Sequence, residues 1–297
     1  MATIIQLIIH GLAMGLVYSL MSAGFNLVLA AANIIFIAFG QFYMIGAFSV
    51  WYLETYAHAP YWAAVIVAAI ATGILGAICY PIVFRRLQFT KQQFLTNIIA
   101  GVGLMLILGQ AALLIFGTTS RGVPSPFSGT YEIGGVRIPQ ERLVVIILAV
   151  AVLLALNFFL QKTRPGRAMR AVSFSSDVAS LQGVNADRMF MISMVIGCAL
   201  AGFSGAIMAP LFGVDVTMGA SGLLVMLVVT LGGIGSMPGG ILGGILLGLM
   251  LSFGQYYVGG GEAQILFFAL IFVVLIFRPQ GLLGQKGQGG LPGQPGQ

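Results

Sequence analysis

Long apolar runs, separated by short polar segments, dominate the chain. Most of these runs reach the ~20 residues that an α-helix needs to cross a hydrocarbon core. They lie at about residues 4–31, 34–53, 61–84, 93–117, 143–160, 189–212, 222–258 and 262–277. The run at 222–258 is too long for one helix and contains LGGIGSMPGG at 231–240. The pattern therefore predicts a broken helix or a re-entrant hairpin there, joined at the glycines.

Residues 161–188, here called the polar segment, interrupt the apolar pattern and carry five of the thirteen Lys and Arg residues. Pro165 can begin a helix, because its missing N–H group would be unsatisfied at that position anyway. Ser175 or Ser176 can cap a second short helix, and Gly183 can end it in a left-handed turn. We therefore predict a helix–turn–helix that docks on a partner, with a merely solvated loop as the alternative.

Composition narrows the class of protein. The chain is 59% hydrophobic and 7% charged, with a mean hydropathy of +1.04, whereas a soluble domain is about 25% charged. The stretch at 143–156 is continuously apolar and lacks the in–out alternation of a membrane β-barrel. We predict an all-α, polytopic transmembrane helical bundle over residues 1–280, followed by a disordered Gly/Gln/Pro tail at 281–297.

The basic residues predict an orientation. Segments 85–91, 161–188 and 278–286 hold ten of the thirteen Lys and Arg residues, whereas the segments on the other side hold five of the seven acids. The positive-inside rule then places the polar segment and the C-terminus in the cytoplasm. If the run at 34–53 is a full crossing, the N-terminus lies outside.

Small residues recur at every fourth position in three of the runs. The stripes are Gly11, Gly15, Ser19 and Ala23; Gly197, Ala201, Gly205 and Ala209; and Gly240, Gly244, Gly248 and Ser252. Each stripe predicts a narrow helix face on which another backbone can pack closely. A translocation path lined by bare backbone is the alternative.

The sequence contains neither a Walker-type phosphate loop nor a convergent set of metal ligands, so we predict no catalytic and no metal site. His10 and His58 are far apart, and Cys79 and Cys198 both lie in apolar runs. None of the carboxylates lies in the middle of a run, which argues against a proton-driven carrier. Sodium coupling through backbone carbonyls stays open.

Polar side chains inside the runs are further candidates for function, since each needs a hydrogen-bond partner or a wet cavity. They are Asn26, Gln41, Asn97, Gln110 and Asn157. Interhelical hydrogen bonds explain most of them, but Gln41 and Tyr43 follow Gly40 in a segment with interior polarity. The predicted path residues are Phe39, Gly40, Gln41, Tyr43, Asn97, Gly232, Gly233 and Gly235.

Four stretches carry a family resemblance. They are FGQFYMIGA at 39–47, TRPGRAMRAVSFSSDVASLQGVNADR at 163–188, LGGIGSMPGGILGGILLG at 231–248 and IFRPQGLLG at 276–284. In this order they resemble the permease subunit of branched-chain amino acid ABC importers, the LivH type. The resemblance implies one of two membrane subunits of an ATP-driven importer that works by alternating access. It also implies a multi-pass protein of the bacterial inner membrane.

The resemblance further implies partners and roles. The expected partners are a second, LivM-like permease, two cytoplasmic ATPase subunits, a periplasmic substrate-binding protein and membrane lipid, but no nucleic acid. The chain would not be an enzyme and would hold no cofactor, since ATP and Mg would be bound by the ATPases. The polar segment would be the coupling loop, with docking residues Arg164, Gly166, Arg167, Arg170, Asp177, Ala179, Gly183 and Arg188.

One motif departs from the family pattern. Where the family typically has Asn-Phe-Ala-His-Gly-Glu, this chain reads FIAFGQ at 36–41. A more apolar lining leaves the substrate open among branched-chain amino acids, aromatic acids, urea and amides. An ion-coupled secondary transporter and a channel or structural subunit are the rival classes. Co-purification with a Walker-motif protein distinguishes the importer from both.

Overall fold

The structure, a computed structural model, describes residues 2–32, 34–87, 93–125, 127, 129–133, 136–278 and 280–283. The helices are α1 (Ala2–Ala32), α2 (Phe39–Ala57), α3 (Tyr61–Cys79), α4 (Gln93–Phe116), α5 (Gln140–Lys162), α6 (Arg164–Phe174), α7 (Ser176–Leu181), α8 (Ala186–Phe212), α9 (Ser221–Gly232), α10 (Met237–Tyr257) and α11 (Gly260–Phe277). A π-helical turn, Tyr80–Phe84, continues α3, and a 3-10 segment, Val216–Ala220, precedes α9. Strands β1 (Thr130–Ile133) and β2 (Val136–Pro139) form an antiparallel hairpin.

Within the described residues, six helical stretches are long and apolar enough to cross a membrane. They are Thr3–Ala32, Tyr61–Phe84, Leu95–Phe116, Gln140–Lys162, Ala186–Phe212 and Met237–Tyr257. Two shorter apolar stretches, Val216–Gly232 and Ala263–Phe277, accompany them. The predicted polytopic helical fold is confirmed. The long run at 222–258 is divided between α9 and α10, while a re-entrant arrangement of that pair stays a prediction.

Two local features differ from the sequence expectation. The run at 34–53 becomes helical only at Phe39, and α2 then continues to Ala57. The β-hairpin was not expected, because its strands have four residues each and leave no long periodic signal. Of the predicted tail at 281–297, residues 284–297 lie outside the described part of the chain, as do residues 88–92 of the first basic loop.

The chain divides into two compact units, which are described separately. Unit 1 comprises Met1–Asn26, Phe127–Val150 and Val225–Gln297, and unit 2 comprises Leu27–Pro126 and Ala151–Leu224.

In unit 1, the stripes predicted on α1 and α10 face each other. A Cβ built on Gly15 would lie 2.8 Å from the Ile245 Cα, and one on Gly248 would collide with the backbone of α1. Ser19 Oγ donates a hydrogen bond across the interface to the Ile241 carbonyl (2.8 Å). The predicted narrow faces are therefore a helix–helix seam in which backbone meets backbone.

In unit 2, helices α2, α3 and α8 meet in a similar way. A Cβ on Gly46 of α2 would collide with the Gly202 carbonyl of α8, and a Cβ on Gly202 would collide with Thr72 of α3. Gly205, which belongs to the stripe predicted on α8, lies against the Tyr43 carbonyl. That stripe is thus confirmed as a packing face, although Gly202, one residue beyond it, contacts two helices at once.

Candidate functional site

The polar segment begins with helix α6, as its sequence predicts. Thr163 caps the helix: its hydroxyl accepts a hydrogen bond from the Gly166 N–H (3.1 Å) and donates one to the Phe159 carbonyl (2.6 Å). Pro165 lies in the first turn, where no donor is required. A Cβ on Gly166 would collide with the Phe159 carbonyl, so α6 packs directly on the end of α5.

Helix α7 follows after a single extended residue. Ser175, rather than Ser176, is the cap, and its hydroxyl accepts a hydrogen bond from the Val178 N–H (3.3 Å). Asp177 lies in the first turn, where the helix dipole favours a negative charge. Gly183 follows the helix with φ of +82°, which confirms the predicted left-handed turn. The predicted helix–turn–helix is therefore present.

The predicted docking residues divide into two groups by burial. Gly166 and Ala179 are buried, together with Met169 and Val172, and hold the segment together. The remaining ones are exposed: Arg164, Arg167, Arg170, Asp177, Gly183 and Arg188. The charged side chains are therefore on the surface, where a partner can reach them.

Three exposed apolar side chains lie among these charges, and the sequence reading missed them. Phe174 is 77% exposed, Val178 55% and Leu181 89%. Val178 and Leu181 are three residues apart and therefore share one face of α7. The signal in the sequence was available, since these apolar residues recur at spacings of four and three inside an otherwise polar stretch.

Asp187, another residue that the sequence reading missed, ties the end of the polar segment to α3. Its Oδ1 accepts a hydrogen bond from the Tyr80 hydroxyl (2.9 Å), and its Oδ2 lies 3.1 Å from Arg85 Nη2. Asp187 is in the first turn of α8, which Asn185 caps by accepting from the Arg188 N–H (3.1 Å). Both carboxylate oxygens are thus held by side chains from the same end of α3.

A second candidate site surrounds Gln41 in unit 2. Its side chain lies between two glycines: a Cβ on Gly109 of α4 would be 3.6 Å from the Gln41 amide, and one on Gly219 would be 2.6 Å from it. Gly40 packs against the backbone of Gly219 and Gly222. Gln41 is 7% exposed, and its Oε1 has no hydrogen-bond partner among the described residues. A buried amide oxygen without a partner is costly, so its presence suggests a functional role.

Gln41 lies in the first turn of α2, far from the C-terminal end of that helix. Trp51 follows ten residues later, about 15 Å along α2. The Arg121 guanidinium lies 4.1 Å from the centre of the Trp51 ring, and the Arg121 N–H donates to the Val214 carbonyl (2.9 Å). The Trp51–Arg121 cluster and the Gln41 amide are therefore separate features of α2.

The other path candidates from α2 and α4 have different surroundings. Phe39 is fully buried, and its ring centroid lies 6.1 Å from that of Phe36. Tyr43 presents its carbonyl to Gly205. Asn97 is 1% exposed, and neither of its amide atoms has a hydrogen-bond partner among the described residues. Gln41 and Asn97 are therefore the two candidates with unsatisfied polar atoms.

The glycines of the broken run lie in unit 1, between α9 and α10. Asn26 holds this turn: its Oδ1 accepts from the Gly235 N–H (3.1 Å), and its Nδ2 donates to the Ser236 carbonyl (3.2 Å). Residues 280–283 lie beside the turn, where the Leu282 and Leu283 N–H groups donate to the Leu231 and Gly232 carbonyls. Gly232, Gly233 and Gly235 thus lie close to residues 280–283, and their role in a path stays a prediction.

The long apolar helices, the backbone seams and a folded polar segment between two of the helices define a polytopic helical membrane protein. The family model described as "Branched-chain amino acid transport system / permease component" matches residues 7–277. The chain belongs to this family. It is therefore a multi-pass inner-membrane transport component and not an enzyme.

Individual relatives agree with the family assignment. The chain is 29% identical to the high-affinity branched-chain amino acid transport system permease protein BraD of Pseudomonas aeruginosa, over 95% of this chain and 96% of the relative. LivH of Escherichia coli K12, a permease protein described in the same words, is also 29% identical with the same coverage. The solved structure of PsaBC from Streptococcus pneumoniae in complex with Fab shares the fold, with a TM-score of 0.50 and 14% identity over 91% of this chain and 90% of that one.

Proposed function

We propose that the chain is a permease subunit of an ATP-driven importer and that its polar segment docks on a cytoplasmic ATPase. The observation that carries the proposal is the exposed set of Phe174, Val178 and Leu181, here called the apolar trio. The polar segment holds seven charged residues, too many to lie in hydrocarbon, so the trio faces water unless a protein covers it.

The charges around the apolar trio indicate which residues the partner's surface should carry. Arg164, Arg167 and Arg170 lie exposed on α6, next to the trio in sequence. A partner groove with an apolar floor and acidic residues at its rim would complement this surface. An ATPase fits the role, because the permease sequence carries no phosphate-binding motif of its own and its relatives are transport-system permeases.

The remaining partners follow from the family. We infer a second, LivM-like permease and a second ATPase, both within one assembly in membrane lipid, and a periplasmic binding protein that delivers the solute. ATP and Mg would be bound by the ATPases. Branched-chain amino acids are the proposed cargo, because the relatives are described as branched-chain amino acid permeases. Aromatic acids, urea and amides are the alternative cargoes.

Gln41 is the proposed polar contact along the translocation path. Its unpartnered oxygen and the bare glycine backbone of Gly109 and Gly219 on either side support this role. Glycines leave room for a solute if the helices part, and the amide oxygen can accept a hydrogen bond from an ammonium or amide group. Asn97 is proposed as a second polar contact on α4.

The test of the docking proposal is reconstitution of the permease with its ATPases and binding protein in proteoliposomes. We expect uptake that requires ATP and survives collapse of ion gradients. Leu181→Gln should weaken ATPase binding, measured by co-purification, by about 30-fold, because a hot-spot side chain contributes about 2 kcal/mol and every 1.4 kcal/mol is tenfold. Gln182→Ala, at the exposed neighbour, is the matched control and should bind normally.

Three outcomes would contradict the proposal. Uptake by the permease alone would contradict the need for an ATPase. Uptake that follows an ion gradient would favour a secondary transporter. Equal ATPase binding by Leu181→Gln and Gln182→Ala would remove the apolar trio from the docking surface.

A further inference from the structure

Asp187 lies where the polar segment passes into α8. It lies just after the polar segment's second helix, in the first turn of α8, and is partly exposed at 37%. Tyr80 is 1% exposed and donates its hydroxyl hydrogen to Asp187 Oδ1, while Arg85 is 58% exposed and pairs with Oδ2. One acid therefore joins the end of the polar segment to both a buried and an exposed side chain at the end of α3 and its π-helical turn.

A π-helical turn allows Tyr80 and Arg85 to reach the same carboxylate. In a regular α-helix, residues five apart point about 140° away from each other around the axis. Here α3 ends in the π-helical turn Tyr80–Phe84, and the Arg85 N–H donates to the Tyr80 carbonyl (2.9 Å), five residues back. The wider turn brings Arg85 round toward the side of Tyr80. Such π-helical turns inside α-helices are often found at functional sites.

The same π-helical turn also contacts the residues just before α2. Phe84 and Phe36 are both fully buried, and their ring centroids lie 5.4 Å apart in an edge-to-face arrangement. Phe36 in turn contacts Phe42, with centroids 5.3 Å apart. Gln41 belongs to the same turn of α2. A continuous series of contacts therefore leads from Asp187 to the Gln41 site within unit 2.

We propose that Asp187, Tyr80 and Arg85 form a latch that transmits movement of the polar segment to α3 and, through Phe84 and Phe36, to the Gln41 end of α2. The proposal rests on the proposed function, because it assumes an ATPase that moves the polar segment. The three residues are positioning residues: they touch neither ATP nor the solute. Without the latch, the polar segment would act on the membrane helices through α8 and α5 alone.

The latch differs from a simple helix-terminus interaction in a way that can be measured. An acid in the first turn of α8 stabilises the helix whether or not Tyr80 is present. A latch requires both partners, so Tyr80→Phe should have the same effect as Asp187→Asn, and the double variant should be no worse than either alone. Tyr80→Phe keeps the buried ring and removes one oxygen, so it tests the latch even if Asp187→Asn assembles poorly.

The experiment measures ATP hydrolysis and solute uptake in the same proteoliposomes, using the full assembly. For Asp187→Asn and Tyr80→Phe we expect uptake per ATP to fall about 10-fold, within the range of known coupling between sites, while hydrolysis stays within about two-fold of the unaltered protein. Glu141→Gln, which removes a first-turn acid from α5, is the matched control and should keep the ratio. Asp187→Glu should restore part of the coupling.

Each outcome has one meaning. An unchanged ratio of uptake to hydrolysis in Tyr80→Phe would overturn the latch while leaving the proposed function intact. An equal fall of the ratio in Glu141→Gln would overturn it as well, because the effect would then be a general one of helix-terminal charge. A complete lack of ATP-driven uptake by the unaltered assembly would overturn the proposed function, and the latch with it.

Discussion

The seam between α1 and α10 allows a stability prediction with a built-in control. Gly248 of α10 faces the backbone of Gly11 and Gly15 in α1, whereas Gly103 of α4 has nothing within 4 Å of where a Cβ would lie. Replacing each by alanine adds the same methyl group to a membrane helix. Only at Gly248 does that methyl group meet another backbone, which cannot rotate out of the way.

The expected magnitude follows from the contacts across the seam. A Cβ at Gly248 needs the two helices to part by about 1 Å to restore normal contact. The Ser19–Ile241 and Ser252–Leu7 hydrogen bonds, both 2.8 Å long, would then stretch beyond hydrogen-bonding distance. Two such bonds in a membrane contribute roughly 1 kcal/mol together.

Overpacking and helix propensity also change the free energy of unfolding. Overpacking costs about 1–3 kcal/mol, and the better helix propensity of alanine returns about 1 kcal/mol. Gly248→Ala should therefore destabilise the fold by about 1–3 kcal/mol. Gly103→Ala should be neutral or stabilise it by up to about 1 kcal/mol, so the two variants should differ by roughly 1–4 kcal/mol.

The assay is unfolding by sodium dodecyl sulfate in mixed micelles, followed by far-ultraviolet circular dichroism. Circular dichroism is preferable to tryptophan fluorescence, because Trp51 and Trp62 both belong to unit 2 and the seam belongs to unit 1. Gly248→Ala should unfold at a lower detergent fraction than the unaltered protein, and Gly103→Ala should not. Equal midpoints for the two variants would refute the idea that backbone contact determines the stability of this seam.

Two further predictions concern the proposed sites. Gly183→Val should uncouple ATP hydrolysis from import while membrane insertion is retained, because φ of +82° is strained for a β-branched residue although the surrounding space is open. Gly183→Asn, whose side chain tolerates that conformation, should couple normally. Normal import by the valine variant would contradict the docking role. Gln41→Leu should lower uptake about 10-fold while leaving the unfolding midpoint unchanged or raising the stability by about 1 kcal/mol, since it removes a buried oxygen without a partner. The control for Gln41→Leu is Gln110→Leu, at an exposed position of α4. If Gln41→Leu lost stability but kept normal uptake, the Gln41 amide would have a structural role instead.

The sequence predicts best those features that depend on neighbours within one helical turn. Pro165, Ser175 and Gly183 fulfil their predicted capping and turn roles, because each bonds or bends the chain within three residues of itself. The same applies to the small-residue stripes, whose four-residue spacing defines a helix face. The α1–α10 pairing itself needed the structure, since spacing defines a face but not the helix that covers it.

Contacts between distant residues could not be predicted in this way. Tyr80 and Asp187 are 107 residues apart in sequence, and no local pattern links them. The sequence did offer one reason to single out Asp187: it is one of only two acids on the side of the membrane that is predicted to hold ten bases. The position of Gln41 between Gly109 and Gly219 likewise depends on three separate elements meeting. A single sequence identifies such residues as polar but not as neighbours.

The structure also bears on the departure from the family pattern at 36–41. Phe36 and Phe39 are fully buried, and Phe36 packs on Phe84. Packing within the chain therefore accounts for two of the three positions at which the family has a different polar residue, without reference to the transported solute. The third, Gln41, keeps an unsatisfied oxygen between two glycines. The case for an aromatic solute, which rested on an apolar lining, is weaker for that reason, and Gln41 becomes the position at which specificity should be tested.

Helix α8 gives the polar segment a second connection to Gln41. Its 27 residues extend about 40 Å, from the Asn185 cap to Gly213. The chain then continues into the 3-10 segment Val216–Ala220, whose Gly219 contacts the Gln41 amide. Along the way, Gly202 of α8 meets the backbone of α2 at Gly46, and it also packs tightly against the Thr72 side chain of α3. A push at the polar segment should therefore move α2, α3 and α8 together and shift both sides of the Gln41 site, one through α8 and the other through the Asp187 latch.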